Sequence, residues 1–501
     1  MADYTYPGVY IEEQTLSATP ISAAGTSTAA FVGHTAIDEL PQSTERDARK
    51  GKAILIKSWR DYEQLFGGIK VVKPSALSGG DPCGVTLSTA SIPKKVNNTT
   101  PGTAVITVTQ GILQNSTIYK LKVGSLNISK TFAVGKTDAD IATTLETELT
   151  GAISGLTVAV TVSGGNKVIT LSNSSANPIP LIDLEVVGGY DVPDYMGHSV
   201  QAFFYNGGGR AYIYHKDAHT WSDVSVELEL YRDISLLLTP DVTNPTDPEI
   251  TTHLNKMGNR LWLTYLDEDV DVSTASKTAP DMAREYSYQA LYYSWIEVSN
   301  PDYDPDLTGS PPTYFIPPVG FVAGNFARID AQRGFWKSPA GLETSILGGL
   351  RVKTPLSDSM QGELNPKHVN CIRKFGSSLK IWGARTLHKG QWKYLAGRRI
   401  AMMLEESIYN GIQWAVFEPN DSNLWASLRQ TIETFMSGLH TAGAFMGEKA
   451  SDAFFVRCGL GATMTEEDIA QGRVIIEVGF APVNPAEFVI VRISQKSQVQ
   501  N

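Results

Sequence analysis

QAFFYNGGGRAYIYHK (residues 201–216) is a pair of short apolar runs separated by a glycine-rich turn. Apolar runs of this length, closed by turn residues, are the pattern of buried strands. TAAFVGHT (28–35), AILIKSW (53–59) and ISLLLTPD (234–241) repeat it, and helical candidates at 59–66 and 249–257 lie among them. Strands of this kind, interleaved with helices, predict an α/β layer around a buried, largely parallel sheet.

Outward from that layer the composition changes. Between about Val85 and Glu185 the chain turns to Thr, Ser, Asn, Gly and Val. TAVITVTQ (103–110) and TVAVTV (157–162) alternate with period two, and SGGN (163–166) supplies a hairpin turn before KVITL (167–171). One helix is expected at 137–153, with Ile141, Leu145 and Leu149 on one face and Thr137 or Asp138 as its cap. This is a small α+β module inserted into the α/β layer.

Toward the C-terminus, Ile400, Leu404, Ile408 and Ile412 form one helical stripe, and Leu424, Leu428, Ile432, Phe435 and Leu439 another, capped by Asn420, Asp421 or Ser422. Strands are expected at 473–480 and 487–494, making a mixed α+β domain. At the other end, Val9 to Glu13 reads as a strand with no hairpin partner nearby. Its backbone groups need a sheet elsewhere, either as an edge of the chain's own core or as an arm donated to another subunit. The expected organisation is an N-terminal segment (1–25), an α/β middle domain (26–84 and 186–345), the inserted module (85–185), a C-terminal α+β domain (346–486) and a C-terminal strand with a polar tail (487–501).

At 501 residues, 42% hydrophobic and 19% charged, the chain is globular and long enough for two to four domains. The net charge of -10, without a basic run, argues against nucleic-acid binding. Cys83, Cys371 and Cys458 lie far apart and form neither a disulfide framework nor a zinc motif. The N-terminus has no signal-peptide pattern, and no apolar run is long enough to span a membrane. Folding in a cytoplasm, with export by lysis or within a particle, is therefore expected.

No catalytic, metal or cofactor-binding residues stand out. NGGGR (206–210) lacks phosphate-loop spacing and reads as a tight strand connection. DEDVD (267–271) matches the start of a calcium loop, but Val272 and Thr278 occupy positions that need Gly and Glu. Arg398 and Arg399 sit in the first turn of an expected helix, where the dipole disfavours cations, so each calls for an acidic partner within the chain or on another subunit.

Six segments occur in an order that resembles the contractile tail sheath family of phages and phage-derived injection systems. They are YPGVYIEE (6–13), RIDAQRGFWKSPAG (328–341), GARTL (383–387), WKYLAGRRIAMMLEESI (392–408), FEPNDSNLW (417–425) and NPAEFVIV (484–491). The resemblance covers the first 35 or so residues and roughly Gly320 to the end. It implies a subtilisin-like but non-catalytic middle domain, and neither an HGT-type histidine segment nor a GTSxA-type or GxSxG nucleophile turn is present. It also implies a C-terminal sheath domain completed by strand arms of neighbours, here Val9, Tyr10, Ile11, Glu12 and Glu13, and Phe488, Val489, Ile490, Val491, Arg492 and Ile493.

The implied partners are the chain itself, as a helical homopolymer of stacked hexameric rings, an inner tube, a baseplate and a tail terminator or cap, with no nucleic acid and no membrane insertion. The resemblance also implies assembly in a bacterial host cytoplasm into a virion tail or a released injection particle. A C-terminal-domain helix would face the tube, making Arg429 and Glu433 candidates, and the inserted module would lie outermost. A non-contractile tail protein or adhesin is the alternative class; a protease is disfavoured.

Overall fold

In the computed structural model, six strands run parallel at the centre of a nine-stranded sheet, in the order Val369–Phe375, Gln289–Tyr293, Leu261–Tyr265, Leu236–Leu238, Ala29–Gly33 and Ala211–His215. Ala53–Ile56 lines one edge antiparallel. Ser378–Trp382 and then Ser345–Ile346 line the other, also antiparallel. The structure describes residues 20–69, 85–88, 103–108, 117–123, 126–132, 136–150, 156–163, 166–173, 182–187, 194–217, 219–242, 244–245, 247–276, 287–301, 303, 312–488 and 490. Residues 1–67, 198–296 and 317–501 make one compact unit, and residues 68–197 with 297–316 make a second.

Five of the six parallel strands, Ala29–Gly33, Ala211–His215, Leu236–Leu238, Leu261–Tyr265 and Gln289–Tyr293, are buried at every position. Layers on both faces of a sheet leave no side for polar alternation, which is why these strands read as continuous apolar runs. The boundary expected at 345/346 falls inside this sheet, because Val369–Phe375 adds in parallel to Gln289–Tyr293.

The opening stretch divides differently from its reading. Residues 201–205 end the helix Tyr195–Tyr205, and only Ala211–His215 is a strand, so NGGGR joins a helix to a strand. A five-residue apolar run has no period long enough to tell the two apart. Gly207 stops the helix with φ of 114°, and the Gly208 N–H donates to the Phe203 carbonyl at 2.9 Å. Against this helix lies Val319–Arg333. A Cβ on Gly320 would stand 2.2 Å from the Ser199 carbonyl oxygen and one on Gly324 2.5 Å from that of Phe203, so only glycine permits this backbone approach.

A buried polar knot lies beneath the α/β layer. Arg260, fully buried, donates to the Leu228 and Tyr231 carbonyls, to Asn259 Oδ1 and to His253 Nε2 at 3.1 Å. Arginine only donates, so His253 Nε2 accepts and its proton sits on Nδ1, which donates to Ser225 Oγ at 2.7 Å. Burial, reinforced by the Arg260 charge, pushes the His253 pKa from 6.5 down to about 4. The unfolded chain therefore binds more protons than the native one between those values. Stability from His253 is intact above pH 6.5 and falls with pH, losing on the order of 3 kcal/mol by pH 4. Burial likewise lowers His198 to about 4, adding in the same direction. Thermal melts from pH 7 to 4 should show this decline, and His253→Gln should flatten it; identical slopes would remove the assignment.

In the second unit, two antiparallel sheets follow the period-two segments. One orders Val85–Ser88, Thr103–Val108, Asn166–Asn173 and Leu156–Ser163, and the other Leu126–Phe132, Thr117–Val123 and Ile182–Val187. The helix Asp138–Leu149 is capped by Thr137, whose hydroxyl and the Asp140 carboxylate form a reciprocal capping box. Ile141, Leu145 and Leu149 are its buried face.

Candidate subunit interface

The C-terminal helices follow their stripes. Leu395–Gly411 and Ser422–Thr441 pack Ile400, Leu404, Ile432, Met436 and Leu439 into one cluster, with Ile408, Ile412 and Phe435 at its margin. Asp421 caps the second helix, accepting from the Asn423 and Leu424 N–H groups at 2.9 Å. Over this cluster lies a sheet of two strands, Phe454–Cys458 antiparallel to Ile476–Phe480. Phe454, Val456, Ile476, Val478 and Phe480 face the helices. No third strand joins either outer edge among the described residues, and a sheet of two strands is too small to be stable without its helical backing.

The chain reaches this layer from its N-terminal side along the Leu395 helix. Ile21 lies where Gly411 has no side chain; a Cβ there would stand 2.5 Å from Ile21 Cγ1. The Ala24 N–H donates to Ser407 Oγ at 2.8 Å. Thr26 Oγ1 donates to Asp330 at 2.6 Å, and Arg399 grips both the Thr26 carbonyl at 3.1 Å and the Asp330 carboxylate, with one contact at 2.9 Å. Val9, Tyr10, Ile11, Glu12 and Glu13 lie outside the described residues.

The C-terminal segment leaves from the same unit. Glu487 accepts from Arg385 Nε at 2.8 Å and Nη2 at 2.5 Å. Burial alone would raise the Glu487 pKa, but the Arg385 guanidinium outweighs it and holds the carboxyl below its usual range. Beyond this pair Phe488 and Ile490 are 74% and 78% exposed. The strand expected from residue 487 is not formed at 487, 488 or 490, since an extended segment without a ladder partner has nothing to hold it as one. Val489, Val491, Arg492 and Ile493 lie outside the described residues.

Both helix-terminal arginines turn inward. Arg399 is buried against Asp330, so while that pair stands it has no free charge for another subunit. Arg398 is enclosed by the rings of Tyr288 and Trp392, 4.1 and 4.8 Å from their centroids, with Glu405 3.8 Å away. Aromatic faces stabilise this guanidinium where the helix dipole does not. On the Ser422 helix, Arg429 donates to the Cys458 carbonyl and braces the two-stranded sheet, whereas Glu433 is exposed. Of the two tube-facing candidates, then, Glu433 is solvent-exposed and Arg429 is half-buried with a backbone partner. No cluster of metal-ligating side chains and no helix long and apolar enough to cross a membrane occurs among the described residues.

A two-stranded sheet on a helical layer, in the same unit as a largely parallel sheet, is the fold class that the described residues define. Comparisons with known proteins specify it. Residues 230–387 match the phage tail sheath protein central domain and 389–496 the phage tail sheath C-terminal domain, together more than half of the chain. A prophage major tail sheath protein of Pseudomonas aeruginosa (strain UCBPP-PA14) is 26% identical over 177 residues, covering 34% of this chain and 44% of its own length. The major tail sheath protein of Serratia phage KSP20 is 26% identical over 175 residues, 34% of this chain and 42% of its own. The chain thus spans less than half the length of the curated relatives it matches.

Among solved structures, the contracted helical sheath of the anti-feeding prophage aligns over 99% of this chain and 100% of its own, with TM-score 0.59 and 23% identity. The contracted PVC sheath complex of an extracellular contractile injection system aligns over 99% of both, with TM-score 0.58 and 24% identity. The chain belongs to the contractile tail sheath family, whose members are structural proteins.

Proposed function

We propose that this chain is the repeating subunit of a contractile sheath, polymerising helically around an inner tube and contracting to drive that tube through a target envelope. The observation that carries this reading is the two-stranded sheet that no third strand joins among the described residues, backed by helices in the same unit that anchors residues 20–26. Six peptide steps lead from Gln14 to Pro20, a reach of at most roughly 20 Å between a strand and its anchor. Strand addition gives affinity through backbone hydrogen bonds, so the mesh persists while the domains swing.

Contraction is a transition between two packings of identical subunits, each gaining a few kcal/mol on release from a metastable form. It requires no catalytic residue. The exposed flank of the Ser422 helix, with Glu433, supplies the tube contact, polar and screened so that it can be broken. The middle domain is a subtilisin-like scaffold without the protease's chemistry, and baseplate and cap proteins bound the polymer in a phage tail or injection particle.

Negative-stain microscopy of the purified chain tests the reading: tubes support it, whereas discrete rings or monomers at all concentrations would overturn it. Replacing residues 85–187, which hold both antiparallel sheets of the second unit, by a short Gly/Ser linker should leave tubes intact, because altering a loop's length costs only about 1 kcal/mol. Loss of solubility on excision would show that this region shares the main core.

A further inference from the structure

The loop between the two C-terminal helices displays an aromatic ring for which the subunit has no use. Phe417 is fully exposed, at 102% of its reference surface, and its φ of 71° is in the left-handed region that bulky residues avoid. Strain of this kind persists only where surrounding contacts impose it. Here they do. The Val416 N–H donates to Gln413, that of Glu418 to Ala415 and that of Asp421 to Pro419. Asn420 accepts from the Trp425 indole at 2.8 Å and donates to the Arg473 carbonyl at 3.1 Å. Val416 and Glu418 flank the ring, both exposed, and the Glu418 carboxylate has no partner among the described residues. The tip is therefore a preorganised, strained, apolar knob with one negative charge beside it.

A complementary hollow exists on the same unit. A groove of about 900 Å³ runs between Trp336, Ala340 and Trp382 on one side and Pro485 and Phe488 on the other, with Lys337 at its wall. Its arginines are spoken for: Arg333 pairs with Glu343, and Arg373 with Asp358. Lys337 alone among these cations meets only carbonyls, those of Ser338 and Ala340 at 3.2 and 3.3 Å, and no carboxylate among the described residues.

We infer that Phe417 of one copy seats in the Trp336–Trp382 groove of the next, with Glu418 paired to Lys337, forming a side-chain contact between sheath subunits separate from the strand arms. It rests on the sheath reading. Knob and hollow are different surfaces of one chain, so the contact is heterologous, the kind that joins copies head to tail into rings or helical polymers. A rigid aromatic entering an aromatic-lined pocket has the character of an interface hot spot.

Phe417→Gly tests it cleanly, because glycine accepts the left-handed backbone while removing the ring. The variant should melt no lower than wild type, yet raise the critical concentration for tube formation, read by light scattering, about tenfold or more. Glu418→Lys and Lys337→Glu should each raise it, and the two together should restore assembly to within about threefold of wild type. An unchanged critical concentration in Phe417→Gly would overturn the knob. Absence of rescue in the double charge variant would overturn the groove. A Phe417→Gly variant that polymerises normally but no longer coats inner tubes would place the ring against the tube, and also overturns the inference. Failure of the wild-type chain to form tubes would instead remove the sheath reading itself.

Discussion

Deleting residues 1–14 is expected to give a soluble subunit that melts like the full chain and forms no long tubes. The fold survives because the N-terminal anchors lie downstream: Ile21 against Gly411, Ala24 on Ser407, Thr26 on Asp330 and Arg399. Assembly fails because the strand candidate Val9 to Glu13 is removed from every subunit at once. At about 1 kcal/mol net per hydrogen bond, a five-residue ladder contributes roughly 4–5 kcal/mol to each contact, a factor of about a thousand in affinity. Deleting residues 1–25 should in addition lower the melting temperature, since it strips Ile21 and Ala24 from the Leu395 helix. Size-exclusion chromatography, melting curves and negative stain separate the two truncations. Wild-type tubes from the shorter deletion would exclude the arm as the linker.

Asp330→Ala should be the most destabilising single change in the helical layer. Asp330 holds Arg399, which is 3% exposed, and also receives the Thr26 hydroxyl. Removing one partner leaves a buried guanidinium without its counter-charge, at a cost of about 3–5 kcal/mol. Replacing both partners, as Asp330→Leu with Arg399→Met, should recover most of it, because the desolvated charge is then gone as well. The comparison is read from the midpoint of chemical denaturation. A single mutant as stable as wild type would mean that solvent screens the pair.

The sequence was most informative where a local signal sufficed. The helix Trp59–Phe66 begins after Ser58, whose hydroxyl caps Asp61, and stops at Gly67 with φ of 89°, so both ends could be read from the residue types. The strand Phe454–Cys458 was not anticipated, although Val456 and Cys458 are its buried positions. Phe455 points outward and hides the alternation. Its ring lies across Gly479, its register partner, where a Cβ would stand 2.2 Å from Cε1, and Arg457 stacks on it at 4.7 Å. An aromatic covering a glycine on the facing strand is a pairwise fact, legible only once register is known. The same limit applied to Arg429 and Arg399. Spacing placed them on helices, but the Cys458 carbonyl and Asp330 that receive them are distant in the chain.

The grip on residues 21–26 has a mechanical consequence. Ile21, Ala24 and Thr26 are held along the side of one helix, by packing, by the Ser407 hydroxyl and by the Arg399–Asp330 pair. Tension directed along that helix therefore loads these attachments together, in shear, and does not peel them one after another. Yielding then requires their concerted rupture, a rate set by the barrier to that event and not by the weakest bond. In a sheath whose subunits are linked through their N-terminal arms, the Leu395 helix would be the tendon insertion, the point at which load enters the subunit.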